Sequence, residues 1–215
     1  MTNNVRLKIC ETFVSIQGES SYAGLPCFFV RLTGCNLRCH CCDTTYAYSD
    51  GKEMDIGEIL SGARDSGVGL VEVTGGEPLL QKGTPVLIKS LCDEGFRVLV
   101  ETNGSMKIDG IDSRAVAVLD IKTPGSGMAE EMFYGNLEIL RPHDEIKFVI
   151  ADRADYVWTK GVIKKFGLMG RNILLSPSFG LLAPEVLVEW IIEDRLNVRL
   201  NLQLHKYVFG DRRGV

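Results

Sequence analysis

The run Gly34-Cys35-Asn36-Leu37-Arg38-Cys39-His40-Cys41-Cys42-Asp43-Thr44 spaces three cysteines, Cys35, Cys39 and Cys42, as CxxxCxxC. Three thiolates at this spacing suit three irons of a cubane [4Fe–4S] cluster, whereas closing the cubane takes four. The fourth iron is then open to an exogenous ligand, and an open iron is reactive. Gly34 lets the chain turn without a Cβ penalty just before the first thiolate. The polar loop leaves amide hydrogens for the cluster sulfurs, and such hydrogen bonds tune the potential. His40 and Cys41 admit a second reading, because soft thiolates with an imidazole also suit tetrahedral zinc. Structural zinc sites usually draw their ligands as two separated pairs, and the sequence holds no second pair. Cys10, Cys27 and Cys92 stand singly and read as small buried hydrophobes.

Working outward, the loop directly follows a β-rich run, residues 27–32. Further runs of this kind occupy residues 70–74, 97–101, 115–120, 145–150, 172–175 and 198–204. Amphipathic helical stretches at 55–65, 85–94, 152–166 and 184–196 fall between several of them. Such alternation predicts βαβ units and a mostly parallel sheet, an α/β fold. No clear helical period follows Glu101 or Asp120, and a full eight-fold barrel would need more chain. The expectation is an incomplete (β/α) barrel with several helices shortened or replaced by loops, forming one domain over residues 1–215. In barrels the chemistry gathers at the carboxyl ends of strands. Thr74-Gly75-Gly76-Glu77-Pro78, Glu101-Thr102-Asn103-Gly104, Asp120-Ile121-Lys122 and His205-Lys206 all end predicted strands, the last of them residues 198–204.

Composition narrows the partners. With 45% apolar and 24% charged residues the chain is neither disordered nor fibrous. A net charge of −4 argues against an extended nucleic-acid footprint and for a small-molecule substrate. No stretch of ~20 apolar residues occurs, and the first residues lack the apolar core of a signal peptide. Seven cysteines, four of them crowded together, make a poor disulfide framework but suit a metal site in a reducing compartment. The expectation is a soluble, cytoplasmic protein with no membrane partner.

Each remaining motif carries two readings. The glycines of 74–78 either form a plain strand-to-helix turn or let a ligand approach the backbone closely. Residues 101–104 offer hydrogen-bonding side chains or an Asx turn. Asp120 and Lys122 are either an exposed ion pair or groups for ribose hydroxyls and a carboxylate. Gln17 and Glu19, in Phe13-Val14-Ser15-Ile16-Gln17-Gly18-Glu19-Ser20, form a polar loop or read the donor and acceptor edges of a heterocycle. Arg31 makes an internal salt bridge or a bidentate clamp on a carboxylate. Thr44 is a loop threonine or a weak hard ligand for Mg²⁺ completed by substrate oxygens. His205 is a core histidine or a site residue.

Taken together, 15–19, 31–39, 42–44, 74–78, 101–104 and 203–206 resemble the 7-carboxy-7-deazaguanine synthases, a family of radical S-adenosylmethionine (radical SAM) enzymes. The resemblance runs from about residue 11 to 207. It implies an abbreviated barrel, a homodimer, an external electron donor such as a flavodoxin, and a role in queuosine and 7-deazapurine biosynthesis. It implies conversion of 6-carboxy-5,6,7,8-tetrahydropterin to 7-carboxy-7-deazaguanine with loss of ammonia, using a [4Fe–4S] cluster, SAM and Mg²⁺. Cleavage of SAM at the cluster would supply a radical that takes hydrogen from the pterin. By resemblance, Cys35, Cys39 and Cys42 hold the cluster and Thr44 holds Mg²⁺. Cys41, Asp43, Gly75, Gly76, Glu77, Glu101, Asn103, Asp120, Lys122 and Ser176 fall to SAM or its surroundings. Ile16, Gln17, Gly18, Glu19, Arg31, Thr74, His205 and Val215 fall to the pterin, with Glu19, Arg31 and Thr44 as the catalytic group. The competing readings are an activase acting on a glycyl-radical partner protein and a non-enzymatic zinc or iron–sulfur module.

Overall fold

The computed structural model describes residues 5–210 and 212–215. Strand β1 (Arg6–Ile16) pairs antiparallel with β2 (Pro26–Leu32) and, on its other edge, with β3 (Lys52–Asp55). From β2 the sheet continues parallel through β4 (Leu70–Gly75), β5 (Arg97–Thr102), β6 (Val116–Ile121), β7 (Glu145–Ile150) and β8 (Asn172–Pro177). It ends in the two-residue β9 (Arg199–Leu200). The order β3-β1-β2-β4-β5-β6-β7-β8-β9 leaves β3 and β9 as edges, so the barrel is open. Helices α1 (Ile56–Asp65), α2 (Thr84–Asp93), α3 (Asn136–Ile139), α4 (Arg153–Lys165), α5 (Pro184–Glu193) and α6 (Leu204–Phe209) complete the fold.

The period-2 alternation of the parallel strands separates two environments. Val30, Val73, Val100, Leu119, Phe148 and Leu175 point to the helix-covered side and are buried in the main core. The opposite face carries an apolar plug of Cys27, Phe29, Leu70, Leu99 and Val116. Further along the same face come Arg31, Glu72, Glu101, Asp120 and Lys147. Strands buried on both faces normally read as near-continuous apolar runs, so these charges mark a lumen. Local chemistry starts the helices where expected: Asp55 and Glu58 form a capping box on α1, and Asp152 accepts from the Asp155 amide at 2.9 Å on α4.

Three expectations are corrected. Residues 13–16 end an eleven-residue strand rather than lying in a loop. A register shift between Ile9 and Glu11 breaks the period-2 pattern that would have exposed β1 in the sequence. The strand expected at 198–204 shrinks to Arg199–Leu200: the Asn201 amide makes the last ladder bond, to Leu175 O at 2.9 Å, and by Leu204 the chain has entered α6 with its amide on Gly18 O at 2.8 Å. His205 consequently sits in the first turn of α6, not at a strand end. Helix α5 stops three residues before Leu196, and just beyond it Arg195 takes the left-handed conformation at φ 50°.

Candidate active site

A cavity of about 580 Å³ opens at the carboxyl ends of the parallel strands. Cys35, Cys39 and Cys42 line one side of it, with Thr44 and Asp43. The Leu37 amide lies 3.4 Å from Cys35 Sγ and Asn103 Nδ2 3.8 Å from the same sulfur. The hydroxyl of Thr44 stands 3.9 Å from Cys42 Sγ, and Asp43 pairs with Lys206 at 3.3 Å. Cys41 is exposed at the cavity rim. Among the described residues no three His, Cys, Asp or Glu side chains converge tightly enough to hold a single metal ion. Cubane thiolates each take a different iron and need no such convergence.

The Gly75-Gly76 turn buttresses this loop. A Cβ on Gly76 would stand 2.7 Å from the Gly34 carbonyl carbon and 2.8 Å from Cys35 Cβ, so only glycine lets the two loops meet. Glu77 is fully buried and its carboxylate accepts from the Asn103 amide at 2.7 Å, Thr102 Oγ1 at 2.8 Å and the Leu79 amide at 3.0 Å. Its oxygens tie the turn to β5 and do not face the cavity.

Deeper in the lumen, Lys147 is 4% exposed and pairs with Glu19 at 2.8 Å, with Asp120 at 3.3 Å, and with Glu101. Asp120 also pairs with Lys122 at 2.9 Å, a pair of a buried carboxylate and a half-buried ammonium rather than the exposed one considered from sequence. Burial works against ionising Asp120, yet the Lys122 and Lys147 ammoniums hold its carboxyl below the usual range. Gln17 is 3% exposed; its side-chain amide donates to Glu72 and its carbonyl accepts from the Glu19 amide at 2.9 Å. Both ends of Gln17 are thus engaged within the protein. Burial, with Glu101 and Glu19 close by, pushes the Glu72 carboxyl well above its ordinary value.

The open side of the lumen is closed by the loop after β1. Leu204 N donates to Gly18 O at 2.8 Å, Gln203 Nε2 donates to Glu19 Oε1 at 3.1 Å, and the His205 ring packs on Gly18. On the other flank Arg31 Nε donates to Glu11 Oε1 at 2.9 Å, and Tyr46 donates to the same oxygen at 3.0 Å. Arg213 donates to the other Glu11 oxygen at 3.1 Å with its guanidinium over the Tyr46 ring, folding the C-terminal residues back so that Val215 reaches the cavity wall.

The cavity therefore gathers Ile16, Gln17, Gly18, Glu19, Arg31, Thr74, Gly75 and Gly76 with the cysteine loop, Glu101, Asn103, Asp120, Lys122, His205 and Val215. Ser176 stays outside its lining, 1% exposed and hydrogen-bonded to Asn201 Nδ2 at 2.8 Å. Sequence reasoning missed Glu72 and Lys147. Each is a charged residue inside an otherwise apolar strand, Val71-Glu72-Val73 and Ile146-Lys147-Phe148, which is a readable signal. Glu11 had none, because β1 itself was unrecognised, and Tyr46, in a short turn at 45–48, is placed by its bond to Glu11.

A three-thiolate loop opening onto the polar lumen of an incomplete barrel defines a radical SAM protein, and residues 29–119 match the family model described as the Radical SAM superfamily. The chain is 48% identical over 220 residues to the 7-carboxy-7-deazaguanine synthase of Chlorobaculum tepidum, covering all of both chains. It is 42% identical over 219 residues to that of Koribacter versatilis, covering 94% of this chain and 97% of the relative. The crystal structure of QueE from Escherichia coli shares the fold at a TM-score of 0.77 and 23% identity, covering 93% of this chain and 95% of that one. The chain belongs to the 7-carboxy-7-deazaguanine synthase family. It is accordingly a radical SAM carbon–nitrogen lyase whose cofactors are a [4Fe–4S] cluster, SAM and Mg²⁺. Among the described residues no helix is long and apolar enough to cross a membrane.

Proposed function

We propose that 6-carboxy-5,6,7,8-tetrahydropterin occupies the lumen between the cysteine loop and the Gly18–His205 closure. The observation that carries this reading is the continuity of one cavity from Cys35, Cys39 and Cys42 to Glu19, Arg31 and His205. The residues present fit the cofactors. Cys35 already receives a backbone amide, as a cluster sulfur would, and Asp120 keeps one buried oxygen, Oδ1, without a protein partner. That oxygen suits a ribose hydroxyl of SAM, while Gly75 and Gly76 offer backbone groups to the methionine moiety. Thr44 contributes a neutral oxygen suited to Mg²⁺ when a substrate carboxylate supplies charge.

When bound, the reduced cluster and SAM supply the radical that removes a pterin hydrogen. The chain's own task is orientation. Glu19 accepts from the amino and ring N–H groups of the pterin edge, and Arg31, fixed by Glu11, clamps its carboxylate. His205 covers the open side and excludes water. The chain is one radical SAM domain over residues 1–215. The family resemblance supports a cytoplasmic homodimer reduced by an external donor such as a flavodoxin.

Arg31→Lys tests the placement. A point charge cannot reproduce two parallel hydrogen bonds to a carboxylate. Pterin affinity should fall by roughly 1–3 kcal/mol, the range for hydrogen bonds to charged groups, with SAM affinity retained. Equal loss for both ligands, or none, contradicts the clamp.

A further inference from the structure

Lys147 enters the lumen from β7, at the position between Glu145 and Val149 on the inward face, where a buried strand normally carries an apolar side chain. Its ammonium meets three carboxylates from three separate elements: Glu19 on the loop after β1, Glu101 at the end of β5 and Asp120 on β6. Three N–H donors match three acceptors. The network continues at both ends, because Asp120 also holds Lys122 at 2.9 Å and Glu19 also receives Gln203 at 3.1 Å. A buried charge left without partners is strongly destabilising, so moving any one carboxylate away from Lys147 disturbs the other two.

We propose that Lys147 is a positioning residue whose ammonium sets the spacing between the pterin end of the lumen, at Glu19, and the SAM end, at Asp120. The proposal rests on the ligand placement given above. The hydrogen bonds and ion pairs of Lys147 go to Glu19, Glu101 and Asp120, so the residue acts on the ligands through carboxylates. Burial alone would push the Lys147 ammonium down, but Asp120, Glu101 and Glu19 together hold it well above the ordinary lysine value, so the hub stays charged. Losing the hub would leave like charges facing each other across the lumen, and their repulsion would displace both ends together.

The test uses cluster-loaded protein under anaerobic conditions and reads equilibrium binding of SAM and of 6-carboxytetrahydropterin separately. Lys147→Met keeps the length and removes the charge. It should weaken both ligands at least tenfold while circular dichroism and cluster absorbance stay at wild-type levels. Lys147→Met combined with Glu101→Gln, which removes one of the opposed carboxylates, should regain at least threefold for both. Loss confined to one ligand, or a double variant no better than the single one, overturns the proposal. If Lys147→Met does not accumulate folded, Glu19→Gln decides the matter. SAM affinity must then shift at least threefold although Glu19 faces the pterin, and unchanged SAM affinity overturns the hub. Unchanged pterin affinity in Glu19→Gln would instead refute the pterin placement, so the two failures are distinguishable.

Discussion

Gly18 and His205 form the joint that closes the open side of the barrel. A Cβ on Gly18 would stand 2.8 Å from His205 Cγ and nearer still to Nδ1. The same joint carries the hydrogen bond from Leu204 N to Gly18 O, so loop and helix α6 cannot separate without losing both contacts. Gly18→Ala should drive His205 and Gln203 away from the lumen at a cost of roughly 1–3 kcal/mol, as for other overpacked contacts. Thermal melting and pterin binding should both show the loss, with cluster absorbance unchanged. Wild-type pterin affinity in this variant would mean that His205 does not close the site.

Glu72 gives a pH dependence. Its folded carboxyl holds its proton well above the ordinary value of 4.5, because of burial and the neighbouring Glu101 and Glu19. Above 4.5 the unfolded chain has released that proton while the folded chain retains it. The folded state then binds more protons, so stability falls as pH rises from the unfolded value toward the folded one. Glu72→Gln removes this titration and keeps an acceptor for the Gln17 amide. Across that window the wild type should lose about 1.4 kcal/mol per pH unit relative to the variant. Urea denaturation at a series of pH values measures the difference, and parallel curves would contradict a neutral Glu72.

The cysteine loop separates ligands from a bystander. Cys41 is exposed, breaks the CxxxCxxC spacing and lies between two of the proposed ligands. Cys41→Ala should retain the cluster absorbance after anaerobic reconstitution, whereas Cys35→Ala, Cys39→Ala and Cys42→Ala should each lose it. Comparable loss in Cys41→Ala would reassign the ligands.

Thr44 is tested by removing only its oxygen. Thr44→Val should keep the fold, the cluster and SAM binding, while product formation falls and no longer responds to added Mg²⁺. Thr44→Ser should keep much of that response. Undiminished Mg²⁺ stimulation in the Val variant would place the metal elsewhere.

Much of the site was legible because it lies in short motifs at strand ends, where glycine, cysteine and charge stand out against apolar strands. The six longer parallel strands and the starts of four helices were readable for the same reason. What escaped was set by contacts distant in sequence. A register shift masked β1, and with it Glu11, which fixes both Arg31 and Arg213. Helix α6 begins where Leu204 meets Gly18, a partner far away along the chain, so local β-propensity in 198–204 misled. Glu77 looked like a cofactor ligand by position, but its oxygens bond the Asn103 and Leu79 amides and the Thr102 hydroxyl. Gln17 lines the cavity as expected, but its bonds to Glu72 and from the Glu19 amide had no signal in the sequence.

The most direct measurement is anaerobic turnover of 6-carboxy-5,6,7,8-tetrahydropterin by the reconstituted protein with a reductant, SAM and Mg²⁺, following 7-carboxy-7-deazaguanine and ammonia together. The lumen described here predicts equal amounts of the two products, dependent on both SAM and the cluster. Reductive cleavage of SAM in the presence of the pterin, with neither product formed, would contradict the account.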